Sequence, residues 1–201
     1  MIAQPNHQKM TPEEYLEWEA KQEFRHEYVN GEILAMTGES IPHNNIALNF
    51  YRTLYPHLRQ KGCQVNVSDV KVRESKNSRY FYPDLVITCN ADDLKSHDLI
   101  EHPTVIIEIL SPSTEKYDSP SETLRERGDK FKYYRQLSSL QEYVLVDSES
   151  KYVEIFQRGE GKMWLYSAYT EGESITLSSI EFNFPIEILY EGVNFETEEQ
   201  Q

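Results

Sequence analysis

The sequence lacks the segments that mark membrane-spanning and secreted proteins. None of its apolar runs approaches the roughly 20 residues that a membrane helix requires, and the mean hydropathy of its 201 residues is −0.67. Residues 1–9 hold no apolar stretch of the kind that signal peptides contain. We therefore expect a cytoplasmic protein with no membrane association.

Several enzyme signatures are also missing. The chain has no Gly-x-Ser-x-Gly, no Walker loop and no His-Glu-x-x-His motif. The loop with Asp92, Asp93 and Asp98 has no glycine and no regular spacing, so it does not match a calcium loop. A small-molecule hydrolase therefore has little support, although such an enzyme could still use isolated carboxylates.

Cysteine is scarce, since Cys63 and Cys89 are the two that occur. Their spacing matches no metal-ligand motif, and two cysteines do not make the framework of a disulfide-rich secreted domain. We predict two free thiols in a reducing cytoplasm.

Basic residues are outnumbered, with 20 lysines and arginines against 34 aspartates and glutamates and a net charge of −14. A charge of this sign argues against non-specific binding to nucleic acid. Much of it lies at the ends of the chain, where residues 1–40 carry −5 and residues 191–201 carry −4. The middle of the chain therefore stays compatible with a nucleic-acid substrate.

Local signals predict the first helices and strands. Residues 11–14, Thr-Pro-Glu-Glu, have the pattern of a capped helix start, and Asn30-Gly31 is a strong hairpin turn signal. A helix is predicted that opens at residues 41–45 and runs to about Lys61, with Pro56 as a candidate kink, and one strand is predicted over residues 63–72.

The rest of the chain alternates between apolar strands and polar connections. Strands are predicted at residues 81–88, 104–110 and 142–147, with a helix at 124–137. Shorter strands are predicted near residues 152–157, 162–169, 174–177 and 184–188. This order favours an α/β (α+β) fold with a mixed sheet, although the pairing of its strands stays open. Residues 10–190 are predicted to form a single domain between flexible tails at 1–9 and 191–201.

Two apolar strands each carry one carboxylate. Asp84 lies at the start of the first strand, and Glu108 lies inside the second. A carboxylate in a strand that is otherwise core is costly unless it is paired or bound to a metal. We predict that the two strands lie side by side and that both carboxylates bind a divalent ion such as Mg²⁺, which prefers oxygen ligands.

A series of motifs in order resembles the Uma-two family of restriction-endonuclease-like proteins, in the PD-(D/E)xK nuclease superfamily. The motifs are residues 27–32 (Glu-Tyr-Val-Asn-Gly-Glu), His43, Ser68-Asp69-Val70, Pro83-Asp84-Leu85, residues 108–114 (Glu-Ile-Leu-Ser-Pro-Ser-Thr), Asp118, Lys130, Tyr134 and residues 142–147 (Glu-Tyr-Val-Leu-Val-Asp). The resemblance covers residues 10–190. It implies a restriction-endonuclease-like αβββαβ core with a mixed central sheet and N- and C-terminal β additions.

The resemblance also implies a set of site residues. Asp84, Glu108 and the backbone carbonyl of Ile109 are the implied ligands of Mg²⁺, with Mn²⁺ as a substitute. Lys130 is the implied catalytic lysine, with Lys132 as the alternative. The residues expected to lie around this centre are Glu27, His43, Asp69 and Lys132. Tyr134 we assign to packing rather than to catalysis.

The chain departs from the superfamily pattern in two places. The lysine expected two residues after the acid is missing, because position 110 is Leu. The resemblance implies that Lys130, on the following helix, takes its place, since a long flexible stem can reach the same point from a neighbouring element. Residues 119–126 also look inserted between Asp118 and that helix.

These observations support two leading hypotheses. The first is a divalent-metal-dependent DNA endonuclease that hydrolyses phosphodiester bonds. The second is a catalytically inactive relative that serves in regulation or in protein or nucleic-acid interaction, favoured by the acidic charge, Leu110 and the insertion at 119–126. A homodimer is expected, because two-fold symmetry suits a two-stranded substrate, and the aromatic strands near the C-terminus are its candidate interface.

Overall fold

Two main sheets and one long helix build the fold in the computed structural model, which describes residues 9–36, 38–75, 79–110 and 130–195. The helices are α1 (Pro12–Glu19), α2 (Ile41–Gln60) and α3 (Phe131–Tyr134). The strands are β1 (His26–Val29), β2 (Glu32–Ala35), β3 (Gln64–Val67), β4 (Lys71–Ser75), β5 (Arg79–Phe81), β6 (Leu85–Thr88), β7 (Leu99–Ile100), β8 (Pro103–Leu110), β9 (Glu142–Asp147), β10 (Tyr152–Arg158), β11 (Trp164–Thr170), β12 (Ser174–Leu177) and β13 (Phe182–Pro185).

The larger sheet has six strands in the order β11-β10-β9-β8-β6-β3. Strand β8 pairs antiparallel with β6 and parallel with β9, so the sheet is mixed. The apolar run of β8 is nearly continuous because both faces of this strand are covered, as is usual for a central strand. The predicted mixed α+β fold class is confirmed.

The two faces of β8 pack against different layers. Val105 and Ile107 share a core with Phe50 and Leu54 of α2. Ile106 and Leu110, which alternate with them, belong to a second core with side chains of the smaller sheet, of α3 and of β9. Since side chains alternate along a strand, Glu108 lies on the same face as Ile106 and Leu110.

The smaller sheet has the strand order β2-β1-β5-β4-β7. The predicted hairpin is confirmed, because Asn30 and Gly31 join β1 to β2 with φ values of 52° and 99°. The predicted capping box is confirmed as well: Glu14 N–H donates to Thr11 Oγ1 at 3.2 Å, and Thr11 N–H donates to Glu14 Oε2 at 2.8 Å. Helix α2 begins at Ile41, within the predicted opening segment, and Ser40 is its N-cap.

Two predicted strands are wrong because the chain changes sheet inside each of them. Residues 63–72 divide into β3 and β4 at Ser68 and Asp69, whose φ values are 48° and 53°. Residues 81–88 divide into β5 and β6, with Tyr82, Pro83 and Asp84 between them. The two breaks meet, since Ser68 N–H donates to the carbonyl of Asp84 at 2.9 Å.

The prediction of two free thiols is also wrong, because Cys63 and Cys89 form a disulfide. Strands β3 and β6 pair antiparallel with Gln64 opposite Thr88. The next position on each strand is a cysteine, and the two Cα atoms are 4.2 Å apart. The separation of 26 residues hides this pairing until the strand register is known.

Several predictions fall on residues 111–129, which lie outside the described residues. They concern residues 111–114, Asp118, the insertion at 119–126 and most of the helix predicted over 124–137. Near the predicted C-terminal tail, the Phe195 ring lies 5.6 Å from that of Tyr190, and Asn49 donates to the carbonyl of Glu191 at 3.0 Å. Within the described part of the chain, no helix has the length and apolar character to cross a membrane.

Candidate metal and catalytic centre

Asp84 and Glu108 lie on neighbouring strands. In the pairing of β6 with β8, Leu85 is opposite Ile107. Continued by one residue, this register sets Asp84 opposite Glu108. The Asp84 side chain also contacts the backbone of β8, because Ile109 N–H donates to Asp84 Oδ2 at 2.6 Å. The predicted arrangement of the two strands side by side is therefore confirmed.

Glu108 is buried among donors from the segment that begins at Lys130. Its Oε1 accepts from Tyr134 Oη at 3.2 Å and lies 3.4 Å from Lys130 Nζ. Burial, and then the charge of Glu108, raise the pKa of Tyr134 well above its ordinary value. The phenol therefore stays protonated and donates to the carboxylate.

Lys130 is held by a second carboxylate, that of Glu27 on β1. Its ammonium lies 2.9 Å from Glu27 Oε1, and both side chains are buried. The same oxygen accepts from the backbone N–H of Tyr82 at 3.3 Å. Glu27 therefore joins Lys130 to Tyr82, which lies two positions before Asp84.

His43 and Glu39 lie on the other side of Asp84. His43 Nε2 is 3.1 Å from Asp84 Oδ2 and 3.5 Å from Glu39 Oε2. Burial acts to lower the pKa of His43, but the hydrogen bond and charge of Asp84, with the charge of Glu39, outweigh it and raise the pKa above its ordinary value. Ligand atoms of the three residues lie within 4.8 Å of one another.

The donor set of the centre fits a divalent ion. Asp84 and Glu108 offer carboxylate oxygens, which Mg²⁺ and Mn²⁺ favour, and His43 offers an imidazole nitrogen. The backbone of Ile109, whose carbonyl is a predicted ligand, hydrogen bonds to both Asp84 and His43. The carboxylates outnumber the cationic groups, so the centre attracts positive charge.

Two residues predicted to surround the centre point elsewhere. The Asp69 side chain is 70% exposed and pairs with Arg25 at 3.3 Å. Lys132 is exposed, with its ammonium 5.6 Å from the ring of Tyr133. Lys130 and Lys132 are two positions apart, so they face different sides of a helix.

The sequence did not lead us to Glu39 or to the contact of the Tyr134 hydroxyl with Glu108. Both had a usable signal in their spacing. Tyr134 follows Lys130 by four positions, and Glu39 precedes His43 by four positions across the start of α2, which brings side chains to one helix face. The assignment of Tyr134 to packing was incomplete, because its buried ring packs in the core while its hydroxyl reaches Glu108.

The mixed sheet that brings these carboxylates and Lys130 together has a counterpart among solved structures. A crystal structure described as a "putative nuclease belonging to DUF820", from Anabaena variabilis, superposes with a TM-score of 0.69. The match covers 92% of this chain and 99% of that chain, at 14% sequence identity. At that identity the likeness concerns the fold.

Family membership follows from the sequence comparisons. The model of the Uma2 family, described as "Putative restriction endonuclease", matches residues 12–187. Uncharacterized protein slr1290 of Synechocystis sp. is 36% identical over 187 residues, which cover 93% of this chain and 94% of that protein. Uncharacterized protein sll1609 of Synechocystis sp. is 30% identical, covering 87% and 93%. The chain belongs to the Uma2 family, as its motifs predicted.

Proposed function

We propose that this protein is a divalent-metal-dependent endonuclease that hydrolyses phosphodiester bonds in DNA. One observation carries the proposal: Lys130, 22 positions away along the chain, lies 3.4 Å from Glu108. A lysine beside the second carboxylate is the element that Leu110 removes from the local motif. The presence of Lys130 at this place, supplied by another segment, supports a catalytic centre rather than a purely structural pair of Asp84 and Glu108.

Asp84, Glu108 and the carbonyl of Ile109 are the proposed ligands of Mg²⁺, with Mn²⁺ as a substitute. When bound, such an ion polarises the phosphate and lowers the pKa of a coordinated water. Lys130 stabilises the negative charge that develops on the phosphate. Glu27 and Tyr134 hold Lys130 and Glu108 in position, since both make buried hydrogen-bonding contacts to them.

The experiment is a cleavage assay with Mg²⁺ or Mn²⁺ on supercoiled, linear and single-stranded DNA. We expect cleavage by the wild-type protein and none by Asp84→Asn or Glu108→Gln, with unchanged circular dichroism spectra. Lys132→Gln is the matched control and should cleave like the wild type, because its side chain is exposed. Intact DNA in every reaction would favour the second candidate.

That second candidate is an inactive nuclease fold that serves in binding or regulation. It is favoured by the pairing of Lys130 with both Glu27 and Glu108, which occupies the ammonium before any phosphate arrives. Binding without cleavage, measured by a gel shift with each DNA form, would support it over the first.

Homodimerisation and a cytoplasmic location complete the proposal. Strand β11 is at the edge of the larger sheet and exposes Leu165 and Tyr166, which suits an interface. Sedimentation equilibrium tests for the dimer. The cytoplasmic location stays a prediction. The disulfide between Cys63 and Cys89 removes the support that free thiols gave it.

A further inference from the structure

We propose that Glu39, His43 and Asp84 form a cation position of their own, which selects transition-metal ions such as Mn²⁺ over Mg²⁺. This inference rests on the proposed function for the assignment of Asp84 as a metal ligand. It adds the chemical class of the ion and two ligands, Glu39 and His43, and it identifies the side of Asp84 on which the ion binds.

The three side chains already lie at distances that suit a shared ion. The imidazole Nε2 of His43 lies 3.1 Å from one carboxylate and 3.5 Å from the other, and ligand atoms of all three residues fall within 4.8 Å. Three ligand atoms around one divalent ion require separations of this order, given metal–ligand distances of about 2.1 Å. Only small side-chain movements are therefore needed to admit an ion.

The nitrogen ligand, His43, is held in place by its neighbours. His43 is 4% exposed and lies in the first turn of α2, where its N–H donates to Ser40 Oγ at 3.3 Å. Its ring also hydrogen bonds to the backbone of Ile109. A ligand fixed by its backbone and its neighbours loses little conformational freedom when it binds a metal.

Electrostatics distinguish this position from the surroundings of Glu108. Lys130 lies 3.4 Å from Glu108 and 2.9 Å from Glu27, so a positive charge is already present on that side. An added cation is repelled by the ammonium more strongly there than beside Glu39 and His43. A metal ligand must be the neutral imidazole, and with His43 in that form the balance of charge favours the His43 side for the first ion bound.

The mixture of nitrogen and oxygen ligands determines which ion the position prefers. Mg²⁺ prefers an octahedron of oxygen ligands, whereas imidazole nitrogen favours the later divalent transition metals. Affinity of a mixed nitrogen and oxygen site rises from Mn²⁺ towards Cu²⁺. A site with one imidazole and two carboxylates should therefore bind Mn²⁺ well before it binds Mg²⁺.

Isothermal titration of the full chain with MnCl₂ and with MgCl₂, in the absence of DNA, tests the proposal. For His43→Gln we expect Mn²⁺ affinity to fall by about tenfold or more, with Mg²⁺ affinity unchanged. His97→Gln is the matched control, because His97 is exposed, and it should bind Mn²⁺ like the wild type.

Glu39→Gln is the second variant, since its side chain is 39% exposed and its replacement does not threaten the fold. We expect it to weaken Mn²⁺ binding as well. Equal Mn²⁺ affinity in the wild type, His43→Gln and Glu39→Gln would overturn the proposal, as would equal affinities of the wild type for Mn²⁺ and Mg²⁺. Failure of DNA cleavage is a separate result that concerns the proposed function alone.

Discussion

Lys130 is the residue on which the proposed chemistry depends most. Its ammonium is buried between two carboxylates, an arrangement in which the pair gains little over an apolar substitute but loses much when one partner is removed. The residue is therefore important to the fold and to the activity at once, and an experiment must separate the two roles.

Lys130→Met should abolish DNA cleavage and lower the free energy of unfolding by about 3 kcal/mol, because two buried carboxylates then lack their cation. Urea denaturation followed by circular dichroism measures the second effect. The double variant Lys130→Met with Glu27→Gln should recover part of the stability and none of the cleavage. Recovery of cleavage would mean that Lys130 has no catalytic role.

Tyr134→Phe removes the hydroxyl that donates to Glu108 and keeps the ring that packs against Phe81. We expect cleavage to fall about tenfold, as is usual when a group that orients a ligand is lost, with a stability change of about 1 kcal/mol. Tyr133→Phe is a neighbouring control. If Tyr134→Phe cleaves at the wild-type rate, the hydroxyl has no part in the activity and Tyr134 contributes through the packing of its ring alone.

At the scale of elements, the central strands show that a buried carboxylate does not by itself predict a metal site. Glu108 on β8 and Glu142 on β9 are both buried. Glu142, however, accepts from the N–H groups of Ser178 and Ser179 at 2.8 and 3.3 Å. Its charge is satisfied by a turn after β12, whereas Glu108 faces Lys130 and Tyr134.

Glu142 gives a pH prediction. Burial raises the pKa of Glu142 despite the hydrogen bonds from Ser179 and Ser178 that lower it. The folded state therefore holds this proton more tightly than the unfolded state, and the contribution of Glu142 to stability falls as pH rises through the raised pKa. The stability advantage of the wild type over Glu142→Gln should shrink as pH rises above 4.5, the ordinary pKa of glutamate, and through the raised pKa of Glu142. Urea midpoints at each pH measure it, and an advantage that grows with pH would contradict the assignment.

Much of the local structure could be predicted from short-range signals. The capping box at Thr11 and Glu14 and the turn at Asn30-Gly31 depend on neighbouring residues, and both are present. The breaks at Ser68 and at Pro83 could not be predicted, because each strand pattern continues across them while the chain moves to another sheet. Pairing partners such as Cys63 and Cys89 depend on the same long-range register.

In the candidate site, too, the residues with a local sequence signal could be predicted and those that depend on long-range packing could not. Asp84 and Glu108 could be found because carboxylates interrupt apolar runs, and the family resemblance identified Lys130. The part of Glu39 and the contact of the Tyr134 hydroxyl with Glu108 could not be predicted, because they arise from the way α2 and α3 pack against β8 and its neighbours. Asp69 follows the motif in sequence, yet its backbone turns its side chain to solvent.

At the scale of the whole molecule, the disulfide joins two strands of the larger sheet, at the end of β6 opposite to Asp84. Strand β6, which follows Asp84, ends beside Cys89, and β3 begins beside Cys63. Closing a loop of this length restricts the unfolded chain, which stabilises the folded state by about 3 kcal/mol.

Dithiothreitol should therefore lower the urea midpoint of the wild-type protein by an amount that corresponds to about 3 kcal/mol. The double variant Cys63→Ser with Cys89→Ser should have the lower midpoint with or without reductant. A midpoint of the wild type that reductant leaves unchanged, after complete reduction is verified by thiol counting, would contradict this role.

The central claim is that Asp84, Glu108 and Lys130 together form a metal-dependent nuclease centre. The most direct measurement is the rate of cleavage of supercoiled DNA by wild-type, Glu108→Gln and Lys132→Gln proteins with Mn²⁺ and with a chelator. We predict cleavage by the wild type and Lys132→Gln with Mn²⁺, and none by Glu108→Gln or with the chelator. Cleavage by folded Glu108→Gln at the wild-type rate would contradict the account.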